Sequence, residues 1–150
     1  MREILFRGKR TDNGEWVEGY FCRKYFPELP HDRCVIQYKT ECTKEWLPDY
    51  MVAEVIPETV GQFTGLTDDK DKKIFEGDIV KHFDNSEENY DIGEIYYDAK
   101  LLMWRRTTQG CFHKSLINSY KLSSDCIYEV IGNIHDNPEL LKGGAENRKD

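Results

Sequence analysis

No apolar run in this 150-residue chain approaches the ~20 residues needed to cross a bilayer as a helix, so no membrane partner is expected. The opening Met1-Arg-Glu-Ile-Leu-Phe-Arg7 lacks the apolar core of a secretion signal. No Cys-x-x-Cys pair occurs, and the cysteines are odd in number: Cys22, Cys34, Cys42, Cys111 and Cys126. That argues against a disulfide framework and for a reducing, cytoplasmic compartment. Absent too are Gly-x-Ser-x-Gly, the Gly-rich phosphate loop ending in Lys-Ser/Thr, and His-Glu-x-x-His. Those absences weigh against an enzyme and leave no catalytic residue or cofactor to name. Sustained helical periodicity, internal repeats and long linkers are missing as well.

Strand-forming residues are plentiful. Hydrophobic residues make up 39% and aromatics 13% of the chain, which is enough for a packed interior and leans toward β-structure. Short apolar segments recur between turn signals, as in sandwiches and small barrels. Residues 3–7 and 16–21 flank Thr11-Asp-Asn-Gly-Glu15, and Asn-Gly between strands predicts a hairpin. Gly19, inside the second strand, predicts a bulge or a close backbone approach. Further strands are predicted at 34–39, 51–56, 60–66, 72–80, 93–97, 101–104 and 127–135, with a bend at Gly77-Asp78 and another at Gly132. Residues 114–122 read as a strand or a short helix. Asn137-Pro138 predicts one or two helical turns, with Asn137 as cap and Pro138 in the first turn.

The expected architecture is therefore mainly β. An N-terminal β-subdomain and a C-terminal, SH3-like small barrel share one domain over 1–142, with approximate halves at 1–50 and 51–142 and a seam within 40–60. A short C-terminal helix and a flexible tail at 143–150 complete it. Phe63, Leu66, Ile74, Phe75, Ile79 and Val80 are expected to feed one core around the central hairpin.

Charge is uneven. The net charge is −7, of which residues 67–91 carry −5, whereas the first ten residues carry +3. Such a dipole favours head-to-tail contact between copies; the plainer account is a solvated acidic loop. An acidic mimic of nucleic acid is a further reading, diluted by Lys70, Lys72 and Lys73.

Three segments stand out in order along the chain: Ile4-Leu-Phe-Arg-Gly-Lys9 with Trp16-Val-Glu-Gly19; Val55-Ile-Pro-Glu-Thr-Val-Gly-Gln-Phe-Thr-Gly-Leu66 through Glu76-Gly-Asp-Ile-Val80; and Glu129-Val-Ile-Gly-Asn-Ile-His-Asp-Asn-Pro-Glu-Leu-Leu141. Together they resemble the YopX family, small proteins encoded in bacteriophage and prophage genomes. The resemblance implies a mostly β fold with a barrel-like part and a tendency to form homo-oligomers. It brings no catalytic residues. One departure concerns the central hairpin, whose family pattern carries Lys-Asn-Gly before a Lys. Here the tip reads Asp69-Lys70-Asp71-Lys72, without Gly, which predicts a longer loop around a type I turn.

Three kinds of chemistry have candidate residues. His31-Asp-Arg-Cys34 and Cys111-Phe-His113 could each lend two zinc ligands, yet the spacing matches no common finger or ribbon, and no metal site is expected. Asp69-x-Asp71 starts like a calcium loop, but Lys73, Ile74 and Val80 stand where the later oxygen ligands and the Gly belong. Trp104-Arg105-Arg106 with Lys114 offers an aromatic beside basic residues, the combination that binds single strands by stacking and phosphate contact. The acidic net charge opposes that. A Cys/His dyad is a third, weaker option. The favoured expectation is a non-enzymatic, phage-encoded module that self-associates and binds a host or phage protein, with a nucleic-acid-binding barrel as the alternative.

Overall fold

The computed structural model describes residues 3–25, 32–39, 50–83, 90–101, 103–107, 119–121 and 127–142. The chain forms two compact units, residues 1–63 and 64–150. The division falls inside a strand, whereas the sequence put the seam within 40–60. The mainly β class is as expected, and every pairing among the described strands is antiparallel.

The first unit holds β1 (Phe6–Lys9), β2 (Trp16–Lys24), β3 (Arg33–Lys39), β4 (Tyr50–Glu54) and the start of β5 (Gly61–Thr67). Their order in the sheet is β4-β3-β2-β1-β5. The predicted hairpin at Asn13-Gly14 joins β1 to β2. Gly14 has a φ of 72°, the left-handed region that Gly enters without penalty. The Gly14 N–H donates to Arg10 C=O, and the Arg10 N–H donates to Glu15 C=O. The Asn13 Oδ1 accepts the Glu15 N–H at 3.0 Å.

Alternation along the strands sends one face inward. Val17, Cys34, Ile36, Ala53 and Val55 form the buried cluster, with Phe6, Phe21, Tyr38 and Val60 packed around it. Gly19 is the close approach the sequence predicts: a Cβ there would lie 2.1 Å from the Gln37 carbonyl oxygen. After β4 the chain returns to the end of β1. Val55 bridges Arg10, the Thr11 N–H donates to Glu54 C=O, and the Ile56 N–H donates to Lys9 C=O. The sheet thus curls back toward its own edge, but only at residues 54–56. A 3-10 turn at Pro57–Thr59 follows, tied down by Thr59 Oγ1, which accepts the Lys9 N–H and donates to Ile56 C=O.

In the second unit the end of β5 pairs with β6 (Lys73–Phe75). A five-stranded sheet follows, ordered β10-β9-β8-β7-β11: β7 (Asp78–Phe83), β8 (Tyr90–Asp98), β9 (Met103–Thr107), β10 (Ser119–Lys121) and β11 (Ile127–Asn133). Among the described residues this ladder stays open between β10 and β11, so the expected barrel is an open sheet. The bend at Gly77 is present, with φ 81°, and the buried Asp78 carboxylate accepts the Phe75 N–H across it at 2.7 Å. The β11–β7 register slips between Val130 and Gly132, which realises the predicted bend as a bulge.

The buried cluster here is Ile74, Val80, Ile95 and Tyr128, with Leu66, Trp104 and Val130 against it. The single core expected around the hairpin is divided. Phe63 belongs to the first unit, and Ile79 and Val80, adjacent on one strand, face opposite sides of the sheet. The C-terminal helix is a single 3-10 turn at Pro138–Leu141, and Asn137 makes no side-chain cap bond. Pro138 removes one backbone donor and the segment is too short for a second turn. Residues 143–150, residues 114–118 and 122 of the strand-or-helix segment, and the 40–49 part of the seam lie outside the described residues.

Candidate functional site

Trp104, Arg105 and Arg106 lie on β9, paired with Tyr97, Tyr96 and Ile95 of β8. Consecutive strand residues point to opposite faces, so the two guanidinium groups cannot share a patch. Arg106 is on the face of His82 and Asp91: its Nη2 lies 2.9 Å from His82 Nδ1 and 4.0 Å from an Asp91 carboxylate oxygen. Arg105 is on the other face, its Nε 3.9 Å from Asp98 Oδ2. The residues are only 7% and 3% exposed, Arg105 first. Trp104 is half-buried and meets Tyr97 edge-on at 5.1 Å between centroids. Charge neutralisation within the sheet, rather than phosphate contact, is what this geometry provides. Lys114 lies outside the described residues, as do His31, Cys42, Cys111, His113 and Cys126. Of the cysteines described, Cys34 is in the first core and Cys22 is exposed. No group of three or more His, Cys, Asp or Glu is placed to hold a metal ion among the described residues.

The acidic loop contains a residue whose role composition hides. Asp68 is 7% exposed. Its Oδ1 accepts the N–H groups of Lys70 and Lys72, both at 2.9 Å, and its Oδ2 accepts the Val130 N–H at 3.2 Å. Burial pushes this carboxyl up, but the Lys72, Val130 and Lys70 amides and the Lys72 charge outweigh it, and the pKa is lowered. A lowered folded-state pKa means the stabilisation is present above the ordinary aspartate range and is lost as pH falls through the lowered value.

The same tip explains the missing Gly. The Asp68 N–H donates to Lys72 C=O and the Asp71 N–H donates to Asp68 C=O. That is a three-residue loop in which the third residue must be left-handed. Asp71 occupies that place with φ 60°, a conformation that Gly enters without penalty. Asp71→Gly is expected to raise stability by about 0.5–1 kcal/mol, relief of the left-handed cost outweighing the added freedom of the unfolded chain. A thermal midpoint that drops instead would contradict this turn.

Among the described residues, β4 carries three exposed large apolar residues in a row. Tyr50, Met51 and Val52 are each 51% exposed, and β4 is the outermost of the described strands in its sheet. Val55 donates its N–H to Cys34 C=O on β3. Antiparallel alternation then turns the N–H and C=O of Tyr50 and Val52 away from β3. On the outer face Tyr20, Gln37 and Val52 share one cross-strand row, and Lys39 pairs with Tyr50 in the next. Residues 50–53 carry no charge, whereas natural edges are usually guarded by charge or proline. The one signal in the sequence was three consecutive apolar residues without alternation.

The YopX family model, described as "YopX protein", matches residues 5–142. The chain belongs to the YopX family. No curated protein matches this YopX chain. Among solved structures it is similar to protein EF1440 from Enterococcus faecalis, at 24% identity over 94% of this chain and 99% of that one, with a TM-score of 0.48. No helix among the described residues of this YopX protein is long and apolar enough to cross a membrane.

Proposed function

We propose that this YopX chain is a non-enzymatic, phage- or prophage-encoded module of the bacterial cytoplasm that self-associates through β4 and, as an assembly, binds a host or phage protein. The observation that carries this reading is the uncharged β4 edge with Tyr50, Met51 and Val52 open to solvent. An edge strand with free backbone groups is a template for a further strand. The occupant is a second copy. Antiparallel pairing about Met51 sets the outward groups of Tyr50 against those of Val52 in the partner. It also sets Lys39 and Tyr50 beside the partner's row of Val52, Gln37 and Tyr20. No like charges meet, and the sheet extends across a two-fold axis, the commonest symmetry of homo-oligomers.

Val52→Lys tests it. The residue is exposed, so the fold is expected to keep its stability within about 0.5 kcal/mol. Light scattering and native mass spectrometry are expected to show a discrete wild-type dimer and a Val52→Lys monomer. A wild type that stays monomeric as concentration rises, or a variant that remains dimeric, sinks the reading.

A further inference from the structure

We propose that the 68–72 hairpin tip is a removable cap over the outer edge of β11, and that its release makes that edge a surface to which a strand of a second copy adds. The proposal concerns a different edge from β4 and goes beyond the reading above.

Among the described strands, β11 ends the second unit's sheet, with β7 on one side. On the other side the tip stands where a neighbouring strand would. The Asp69 N–H donates to Tyr128 C=O at 3.0 Å, and the Asp68 carboxylate accepts the Val130 N–H at 3.2 Å. Residues 128 and 130 are alternate positions, so both direct their backbone groups to that side. The tip therefore supplies one donor and one acceptor, the pattern of a ladder partner, but the acceptor is a side chain. The further tie is Lys70 Nζ to Glu129 Oε1 at 2.7 Å, an exposed pair of small energetic value.

Residues 68–72 are Asp-Asp-Lys-Asp-Lys, so no apolar burial holds the tip down. Its docking rests on polar contacts centred on one carboxylate. Below it, Ile127-Tyr-Glu-Val-Ile131 is β-branched and aromatic with a single charge, the composition that pairs edge to edge when bare. Ile127 is already exposed. Lys81 Nζ lies 3.7 Å from Glu129 Oε2 and stays beside it once Lys70 leaves, so Glu129 does not repel a second copy as a bare charge. That copy presents the same strand at the same edge, which makes it the natural occupant.

The test is Asp68→Ala in a full chain already carrying Val52→Lys, which silences β4. Amide hydrogen exchange and light scattering are read together. The expected result is at least a tenfold loss of protection at Val130, unchanged protection across Ile79–Lys81, and a mass that climbs with concentration. Unchanged Val130 protection, or a mass equal to the parent at every concentration, overturns the proposal. Should Asp68→Ala lose protection at β7 as well, the wild type decides. The cap requires the amides of Asp69, Lys70, Lys72 and Val130 to exchange through one shared opening that leaves β7 protected. Exchange of those amides only together with β7 overturns it.

Discussion

Ile79→Ala is expected to lower the unfolding free energy by about 2–5 kcal/mol, the range for truncating a fully buried Ile. Ile79 has no exposed surface and sits on β7, the strand between β8 and β11. The lost methyl and methylene groups leave a cavity that flanking ladders prevent from collapsing, which is why the upper half of the range is favoured over the lower. Urea unfolding followed by circular dichroism measures it. A midpoint equal to wild type would show that β7 is not a central buried strand.

Gly93→Ala should be similarly damaging for a different reason. A Cβ at Gly93 would lie 1.8 Å from the Thr107 carbonyl oxygen and 2.8 Å from its carbonyl carbon. Those are backbone atoms of β9, so no rotamer change relieves the clash and the ladder itself must move. Overpacking of this kind costs about 3 kcal/mol. Gly14→Ala is the matched comparison. It meets open space but must hold φ 72°, at a cost of about 1 kcal/mol. Equal loss of stability in the two variants would count against the close approach of β9 to Gly93.

These two positions differ in how visible they were beforehand. Ile79 lies in an apolar run, and burial followed from hydrophobic patterning. Gly93 lies in a segment already read as a strand, yet nothing local distinguishes it from Gly132, whose bend was expected. The steric need at Gly93 arises from Thr107, fourteen positions along the chain and on another strand. Gly19 sits between the two cases: a Gly inside a strand signalled either a bulge or a close approach, and Gln37 decided which.

The acids and bases follow the same division. Asp68 is one of nine acids within residues 67–91, and in composition it is indistinguishable from Asp69 or Asp71. Its own loop supplies the Lys70 and Lys72 amides, and the return of β11 beside the tip adds the Val130 amide, while Asp71 is left holding a strained torsion. Trp104-Arg105-Arg106 looked like a basic patch because neighbours in sequence were imagined as neighbours in space. On a strand they are not. Alternation alone separates Arg105 from Arg106, and the register of β8 then supplies Asp98 to one, while Asp91 on β8 and His82 on β7 face the other.

By itself the sequence determined the β-rich class, the Asn13-Gly14 hairpin, the Gly77 bend and most strand positions, because those depend on side-chain period and on backbone torsions that only certain residues tolerate. Family membership was legible for the same reason, since the matching segments are the turns and the strands beside them. Tertiary structure decided which acid is structural, which arginines are buried, and which edge is guarded. Each of those depends on a partner brought from far along the chain, and no local preference encodes where that partner will stand. The contrast between the two edges is the clearest case: β11 meets the tip of a hairpin, whereas β4 is rejoined only at its end by Arg10, leaving Tyr50, Met51 and Val52 open.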